Sequence, residues 1–578
     1  MYYLYSKSKK SNSSHKQKSN FQDKNISSKE RIPKTERKIS AKENALYYYI
    51  GLGIVLILIY IIRKNFLTIP FERDEGSYAY SGKIILDGAT TYKDIGSQRL
   101  DGVFYAYAVI VGIFGYSVKA LHMAFLILNI GSTIMLYFLT RKLTNNLAGL
   151  AAAAFFALLS MTATASGFTI QSEHIVAFLI IGAFLGLVLF LETKKMWQLI
   201  LAGVLFSFAF QVKQTSFFYG LLAGALLLYK EIVVDKTKLK KLILNIFVFC
   251  LAVLIPIVID LFLIYKNGAW ADFKLWFFDI RNQYTSLITF SNGLEYLNYS
   301  FTSIYKDYKF FWIISFFGTA TVFLTNLSFW KKMLIAGVNI AGFLTIVPGY
   351  HYYGHYFLQW IPAVSLCAAI FIFSVQDILK NKFKLKYGTT VLPLIFIILP
   401  VITNLSAKSK YYFNPNQTQI LREVYGINPF PESMVIADKL NALMKPEDKL
   451  AVFGTEIQMY VYTNKKSPSR FAGSGALLEF PVAQSEDWQK EFIGDVEKAA
   501  PKYLVFFSHP ISWMASSKSK NLIFPWFDKF SAANYRLIGY ADMLGNTTNY
   551  VWEPELDMAK NPPTSKYKIF VFERNKAQ

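Results

Sequence analysis

Residues 45–62 read Ala-Leu-Tyr-Tyr-Tyr-Ile-Gly-Leu-Gly-Ile-Val-Leu-Ile-Leu-Ile-Tyr-Ile-Ile, eighteen residues without a charge. An uninterrupted apolar run of that length reads as a helix across a bilayer. Before it, residues 1–44 carry twelve Lys/Arg against four acids, with few large apolar residues after Tyr5. Such a segment has too little apolar surface to fold and reads as a disordered basic tail. It is too long and polar for the n-region of a cleaved signal peptide, and no small-residue cleavage site follows the run. The run is therefore read as a retained anchor, with the basic tail on the cytoplasmic side.

The same reading extends along the chain. Only 17% of the 578 residues are charged and 53% are hydrophobic. Soluble chains carry about 25% charged residues, so the composition argues against both a soluble and a disordered protein. A net charge of +23 taken alone would fit a nucleic-acid partner, but its distribution fits a membrane and no nucleic acid is expected. Ten more apolar runs follow, at 121–140, 147–165, 175–191, 197–212, 217–229, 242–265, 310–327, 333–347, 357–373 and 391–402. With the anchor they make about eleven spans, several of which need helical flanks to reach the roughly 20 residues that cross the hydrocarbon core. Cys250 and Cys367 lie inside apolar runs and read as small buried hydrophobes, with no disulfide framework or cysteine metal site.

Charge tests this count. The alternate connections holding Arg141-Lys142, Lys194-Lys195, Lys230 to Lys241, Lys331-Lys332 and Lys380 to Lys386 carry fifteen basic residues against four acids. The opposite connections are balanced: residues 63–120 hold seven basic and six acidic, residues 266–309 five and four. This is the positive-inside pattern, with the N-terminus in the cytoplasm. The run Val103–Gly115 would invert every later loop if counted as a span. It is short, and it reads as an amphipathic or re-entrant helix against the outer leaflet.

From about residue 405 the apolar runs shorten, at 450–453, 503–507, 535–540 and 568–573, and helix-like stretches (432–444, 487–500) lie between some of them. Alternating strand and helix signals suggest a small α/β domain, outside by parity. The expected organisation is a basic tail (1–44), a multi-spanning α-helical membrane domain (45–404) with juxtamembrane helices in its first outer loop, and an extracytoplasmic α/β domain (405–578).

This topology gathers polar clusters at one face: Arg73-Asp74-Glu75, Gln171-Ser172-Glu173-His174, Lys213-Gln214, and His351 to Tyr356. Ionisable groups near membrane depth are costly and mark function by default. Asp74 reads either as a helix N-cap, with Glu75 in the first turn, or as a general base for an acceptor hydroxyl. Glu173 reads as first-turn capping, or as a second carboxylate that orients the acceptor or helps hold a divalent cation. Arg99 and Lys213 read as snorkelling cations or as a grip on a phosphate. Lys213 has no acid near it in sequence, which favours the grip. His351 and His355, four apart, would share a helix face and could bind a metal, but Gly349 and Gly354 make a helix there doubtful. Hydrogen bonding to a headgroup or sugar fits them better, and the dense tyrosines also fit an interfacial belt.

Together these residues resemble one family. Arg73-Asp74-Glu75-Gly76-Ser77-Tyr78 with Gly88 and Tyr92-Lys93-Asp94 is similar to the first outer loop of C-type integral-membrane glycosyltransferases, in the branch of bacterial aminoarabinose transferases and protein O-mannosyltransferases. Ser172-Glu173-His174, Lys213-Gln214, His355 to Gln359 with Pro362, and Gly454-Thr455-Glu456 with Tyr460 and Ser467 to Phe471 extend the likeness over most of residues 45–480. The resemblance implies a sugar on a polyprenyl phosphate as donor, Asp74 as catalytic base with Glu75 and Glu173 beside it, and a substrate site including Arg99, Lys213, Gln214, His355 and Tyr356. The family's Lys-Pro-Pro-like segment, whose Lys meets the lipid phosphate, is replaced here by Gln98-Arg99-Leu100-Asp101. Arg99 keeps the charge; the prolines are missing and Asp101 is added.

The chemistry suits the residues. A lipid phosphate leaves without a proton from an acid, so transfer needs one base and cations for the phosphate, whereas a glycosidase needs a carboxylate pair working together. The expected function is inverting transfer of a hexose or pentose to an acceptor glycan, lipid or protein at the outer face of the cytoplasmic membrane. Two alternatives are a flippase for a lipid-linked sugar, which would favour midplane charges and repeat symmetry, and a non-catalytic membrane scaffold.

Overall fold

The computed structural model describes residues 34–385, 389–478, 484–515 and 518–575. The tail before residue 34 and Lys386 lie outside these. Helix α1 (Lys34–Arg63) begins ahead of the Ala45 boundary read from the sequence, and its residues from Tyr48 onward belong to the main compact unit.

Each of the eleven apolar runs falls mainly on helix. They are α1, α4 (Val118–Leu143), α5 (Asn146–Leu159), α6 (Ser172–Thr193), α7 (Met196–Val212), α8 (Phe217–Tyr229), α9 (Leu239–Lys266), α12 (Phe290–Thr321), α13 (Phe329–Ile346), α14 (Ile361–Asn381) and α15 (Val391–Ala407). Among the described residues seven helical stretches are long and apolar enough to cross a membrane. Two juxtamembrane helices precede α4: α2 (Arg73–Leu86) and α3 (Gly102–Phe114). Between α9 and α12 lie the short helices α10 (Trp270–Lys274) and α11 (Arg281–Thr285). The backbone of α12 breaks at Tyr308 (φ −140°, ψ 33°), two residues before the apolar run that starts at Phe310.

Packing follows small residues where helices cross. A Cβ on Gly318 of α12 would stand 1.8 Å from the Cys367 carbonyl oxygen of α14, so that crossing requires glycine. Helix α3 buries Val103, Phe104, Tyr107, Ala108 and Val111, and leaves Tyr105, Val109, Ile113 and Phe114 exposed. Its 13 residues rise about 20 Å, short of the roughly 30 Å hydrocarbon core.

The lysine-rich connections converge on one end of the bundle. Lys142 pairs with Glu192 at 3.1 Å and Lys194 pairs with Glu231. Lys331 donates to the Lys142 carbonyl at 2.8 Å, and Asn145 to Gln376 at 2.7 Å. All five connections are thereby joined. The other connections meet at the opposite end, where Lys408 pairs with Asp307 at 2.5 Å, Thr164 donates to Asp307 at 3.0 Å and Tyr411 donates to the Met161 carbonyl at 3.0 Å. The alternation of lysine-rich and charge-balanced connections read from the sequence is thus a spatial segregation, with the polar clusters at the charge-balanced end.

After α15 the chain forms a five-stranded mixed sheet in the order β1-β2-β5-β3-β4. The strands are β1 (Leu450–Phe453), β2 (Tyr503–Ser508), β3 (Tyr535–Met543), β4 (Thr548–Trp552) and β5 (Lys568–Arg574). Only β1 and β2 run parallel, as their connection through the helix Ser485–Ala499 allows. Strands β1, β2, β3 and β5 coincide with the four apolar runs read from the sequence; β4 was not among them. It follows a tight turn at Gly545, whose φ of +98° suits glycine.

Candidate active site

Helix α2 starts where Glu72 turns its side chain back on the helix. Its carboxylate accepts from the amides of Asp74 (3.0 Å) and Glu75 (2.7 Å). Glu72 is therefore the N-cap, a role the sequence had offered to Asp74. Burial, with the Asp74 and Glu75 carboxylates beside it, pushes the Glu72 carboxyl up to about 8 against the pull of the two amides. Released from capping, Asp74 faces a cavity of about 520 Å³.

Asp74 Oδ2 lies 3.3 Å from Nη2 of Arg99 and accepts from the Tyr78 hydroxyl at 3.4 Å. Arg99 also sits over the Tyr78 ring, 5.4 Å from its centroid. Burial alone would raise the Asp74 carboxyl, but the cations around it, Arg99 first, hold it below the ordinary carboxylate value. Arg99 contributes most of this, with Arg73 adding less, while burial pushes the His355 imidazole towards its neutral form. Arg99 itself is held above its ordinary value: burial opposes its charge, and Asp74, with Tyr356, Glu173 and Tyr284, outweighs burial.

Glu173 lies in the first turn of α6, behind Gln171, and accepts from the Ser172 hydroxyl at 2.9 Å. It pairs with Lys213, which closes α7, and His355 Nε2 stands 3.8 Å from it. Lys213 Nζ lies 3.6 Å from the centroid of the Tyr356 ring. Lys213 thus has an acid close in space that its sequence neighbours do not show. His355 and Tyr356 line the cavity with Asp74 and Arg99; Lys213, Glu173, Gln214 and Glu75 are not among its lining residues. Glu75 is fully buried, and its Oε1 meets His122 Nε2 at 2.8 Å and the Ile170 amide at 3.1 Å. The Gln214 amide nitrogen, next to Lys213 in sequence, is buried with no hydrogen-bond partner among the described residues.

The His351–His355 segment is not a helix. Tyr350 and Tyr352 adopt left-handed φ, and the 3₁₀ turn Gly354–Gln359 carries His355 and Tyr356 into place. A Cβ on Gly354 would stand 2.1 Å from the Thr164 carbonyl oxygen, so glycine lets this turn settle on the α5–α6 connection. His351 stacks on Tyr284, 4.2 Å between centroids. Among the described residues no three His, Cys, Asp or Glu side chains gather closely enough to hold a metal.

The arrangement sets the ionised Asp74 carboxylate against the Arg99 guanidinium on the cavity wall, with the Glu173–Lys213–His355 group beside them. Residues 102–259 match the family model of dolichyl-phosphate-mannose-protein mannosyltransferases. No curated protein matches the sequence. Solved structures share the fold at low identity. ArnT from Cupriavidus metallidurans, bound to undecaprenyl phosphate, is 12% identical with a TM-score of 0.53, over 80% of this chain and 93% of that one. The archaeal oligosaccharyltransferase AglB from Archaeoglobus fulgidus, in complex with an inhibitory peptide and a dolichol-phosphate, is 13% identical with a TM-score of 0.50, over 88% of this chain and 74% of that one.

Proposed function

We propose that this chain, which by fold and partial family match belongs to the C-type integral-membrane glycosyltransferase superfamily, moves a sugar from a polyprenyl-phosphate donor to an acceptor hydroxyl. The observation that carries the reading is the Asp74–Arg99 pair on the cavity wall, 3.3 Å apart, at the charge-balanced end of a helical bundle. In this reading the cavity opens on the outer face of the cytoplasmic membrane, the N-terminus is inside, and residues 405–578 are outside.

The acceptor oxygen attacks the anomeric carbon while the bond from that carbon to the lipid phosphate breaks. The hydroxyl proton passes to an Asp74 oxygen, and the electron pair leaves with the phosphate, whose charge Arg99 meets. Attack opposite the leaving group inverts the anomeric centre. A phosphate on Arg99 also draws that cation away from Asp74, so donor binding makes Asp74 the stronger base. Glu173, paired with Lys213, holds Lys213 beside Tyr356 and keeps His355 at the cavity wall.

The experiment is binding and turnover by the purified protein in vesicles. The expected result is saturable binding of undecaprenyl phosphate and release of that lipid from an undecaprenyl-phosphate sugar only when acceptor is present. Binding without acceptor-dependent release, together with movement of the lipid between leaflets, would favour the flippase instead.

A further inference from the structure

Consecutive residues on a helix point about 100° apart, and Arg73 and Asp74 open α2 in different directions. Asp74 meets Arg99. Arg73 turns to the C-terminal domain, where Nε donates to Thr455 Oγ1 (2.8 Å) and Nη2 to the Ile511 carbonyl (3.2 Å) and Asn428 Oδ1 (3.4 Å). All three acceptors are neutral. Among the described residues none accepts from Nη1.

Three arginines line the cavity: Arg73, Arg99 and Arg470. Arg99 is spent on Asp74 at 3.3 Å, and Arg470 on Glu491 at 2.7 Å with Asp272 at 3.5 Å. The carboxylate nearest Arg73 is Glu456, at 4.0 Å, beyond hydrogen-bond reach. Glu456 is fully buried, and its Oε1 already accepts from Ser512 at 2.7 Å. Burial also pushes the Glu456 carboxyl up, towards its neutral form. Arg73 therefore presents positive charge to the cavity, held in place by oxygens that do not cancel it. A fixed guanidinium of this kind suits a phosphate or carboxylate.

We propose that Arg73 is the anion-binding group of the acceptor subsite, taking a phosphate or carboxylate that the acceptor carries near the hydroxyl to be glycosylated. The proposal rests on the transferase reading above. It places a cation on each side of Asp74: Arg99 towards the donor phosphate, Arg73 towards the C-terminal domain and the acceptor. The C-terminal domain then has a specific task, which is to aim Arg73.

The test is equilibrium binding to the full chain in vesicles, with undecaprenyl phosphate saturating. The probes are glycerol 3-phosphate, glycerate and glycerol, each a hydroxyl compound with a phosphate, a carboxylate or no charge. One or both anions should bind and glycerol should not; which anion binds tells phosphate from carboxylate. Arg73→Gln should weaken that binding about tenfold or more, the size of a charge-assisted bond, and leave undecaprenyl phosphate binding within about threefold. Arg73→Lys should restore most of it, which separates lost charge from lost folding. The proposal is overturned if neither anion binds, if Arg73→Gln leaves anion binding unchanged, or if it weakens the lipid equally, which would put Arg73 in the donor site. Failure of the parent protein to bind undecaprenyl phosphate would instead strike the transferase reading, and the anion arm is then read without lipid.

Discussion

Asp74 and Arg99 are paired to each other at 3.3 Å, so the candidate base and the candidate phosphate grip set each other's charge. The pair sits on the wall of a cavity, with about a third of each side chain exposed. Under the proposed mechanism a donor phosphate draws Arg99 from Asp74, and the order is donor first, base freed second.

The pairing fixes a pH dependence. Asp74 must be ionised to act, and Arg99 holds its folded value below the ordinary one. Activity should therefore persist at pH values where an ordinary aspartate is protonated, and fall only as pH drops through the depressed value. Arg99→Gln should move the acid limb of kcat/KM upward in pH. It should also weaken undecaprenyl phosphate binding by about 1.5–3 kcal/mol, as for a bond to a charged group. An acid limb that stays in place would mean that Arg99 does not control Asp74.

Glu72 should behave as a cap and not as an acid. Its two amide bonds predict a loss of about 0.5–2 kcal/mol for Glu72→Ala. Glu72→Gln keeps an acceptor oxygen and should lose less. Thermal unfolding of the two variants measures the difference. Equal losses would mean that the charge, and not the cap, is what α2 needs.

Lys213 and Glu173 should depend on each other. Glu173 is 1% exposed and Lys213 16%, and removing one member of a buried pair costs about 3–5 kcal/mol. Lys213→Met and Glu173→Gln should each destabilise, and the double variant should lose less than the sum. Additive losses would show that the pair is not coupled and return Lys213 to the role of an independent phosphate grip.

The topology is tested by thiol labelling in a background lacking Cys250 and Cys367. A cysteine at the exposed Asn292 should label from outside, and one at the exposed Lys382 from inside. Reversed labelling would turn the cavity to the cytoplasm.

Much of this was legible in the chain because its signals are local. Apolar runs, lysine clusters and the short apolar strands of the C-terminal domain each lie within one stretch, so helices and four strands could be read directly. Asp74, Arg99, His355 and Tyr356 could be named because charge is rare near a membrane. What could not be read depends on distant partners. Glu173 meets Lys213 forty residues away, so Lys213 looked free of acids. Glu75 was expected beside Asp74 in the site, yet its partners His122 and Ile170 come from other segments and hold it away from the cavity. Glu72 lies just before the acidic pair and took the capping role that the pattern offered to Asp74. His351 and His355, four apart, would share a helix face, but Gly349 and Gly354 made that helix doubtful, and Tyr350 and Tyr352 in left-handed conformation show that none forms.

The most direct measurement is glycosyl transfer by purified Asp74→Asn protein in vesicles, using an undecaprenyl-phosphate sugar and an acceptor on which the parent protein is active. Because Glu72 caps α2, this change leaves the helix start intact. The expected result is a protein that unfolds at the parent temperature and still binds undecaprenyl phosphate, but transfers sugar about 10²–10⁴ times more slowly. Transfer within a few-fold of the parent rate would contradict the assignment of Asp74 as the base.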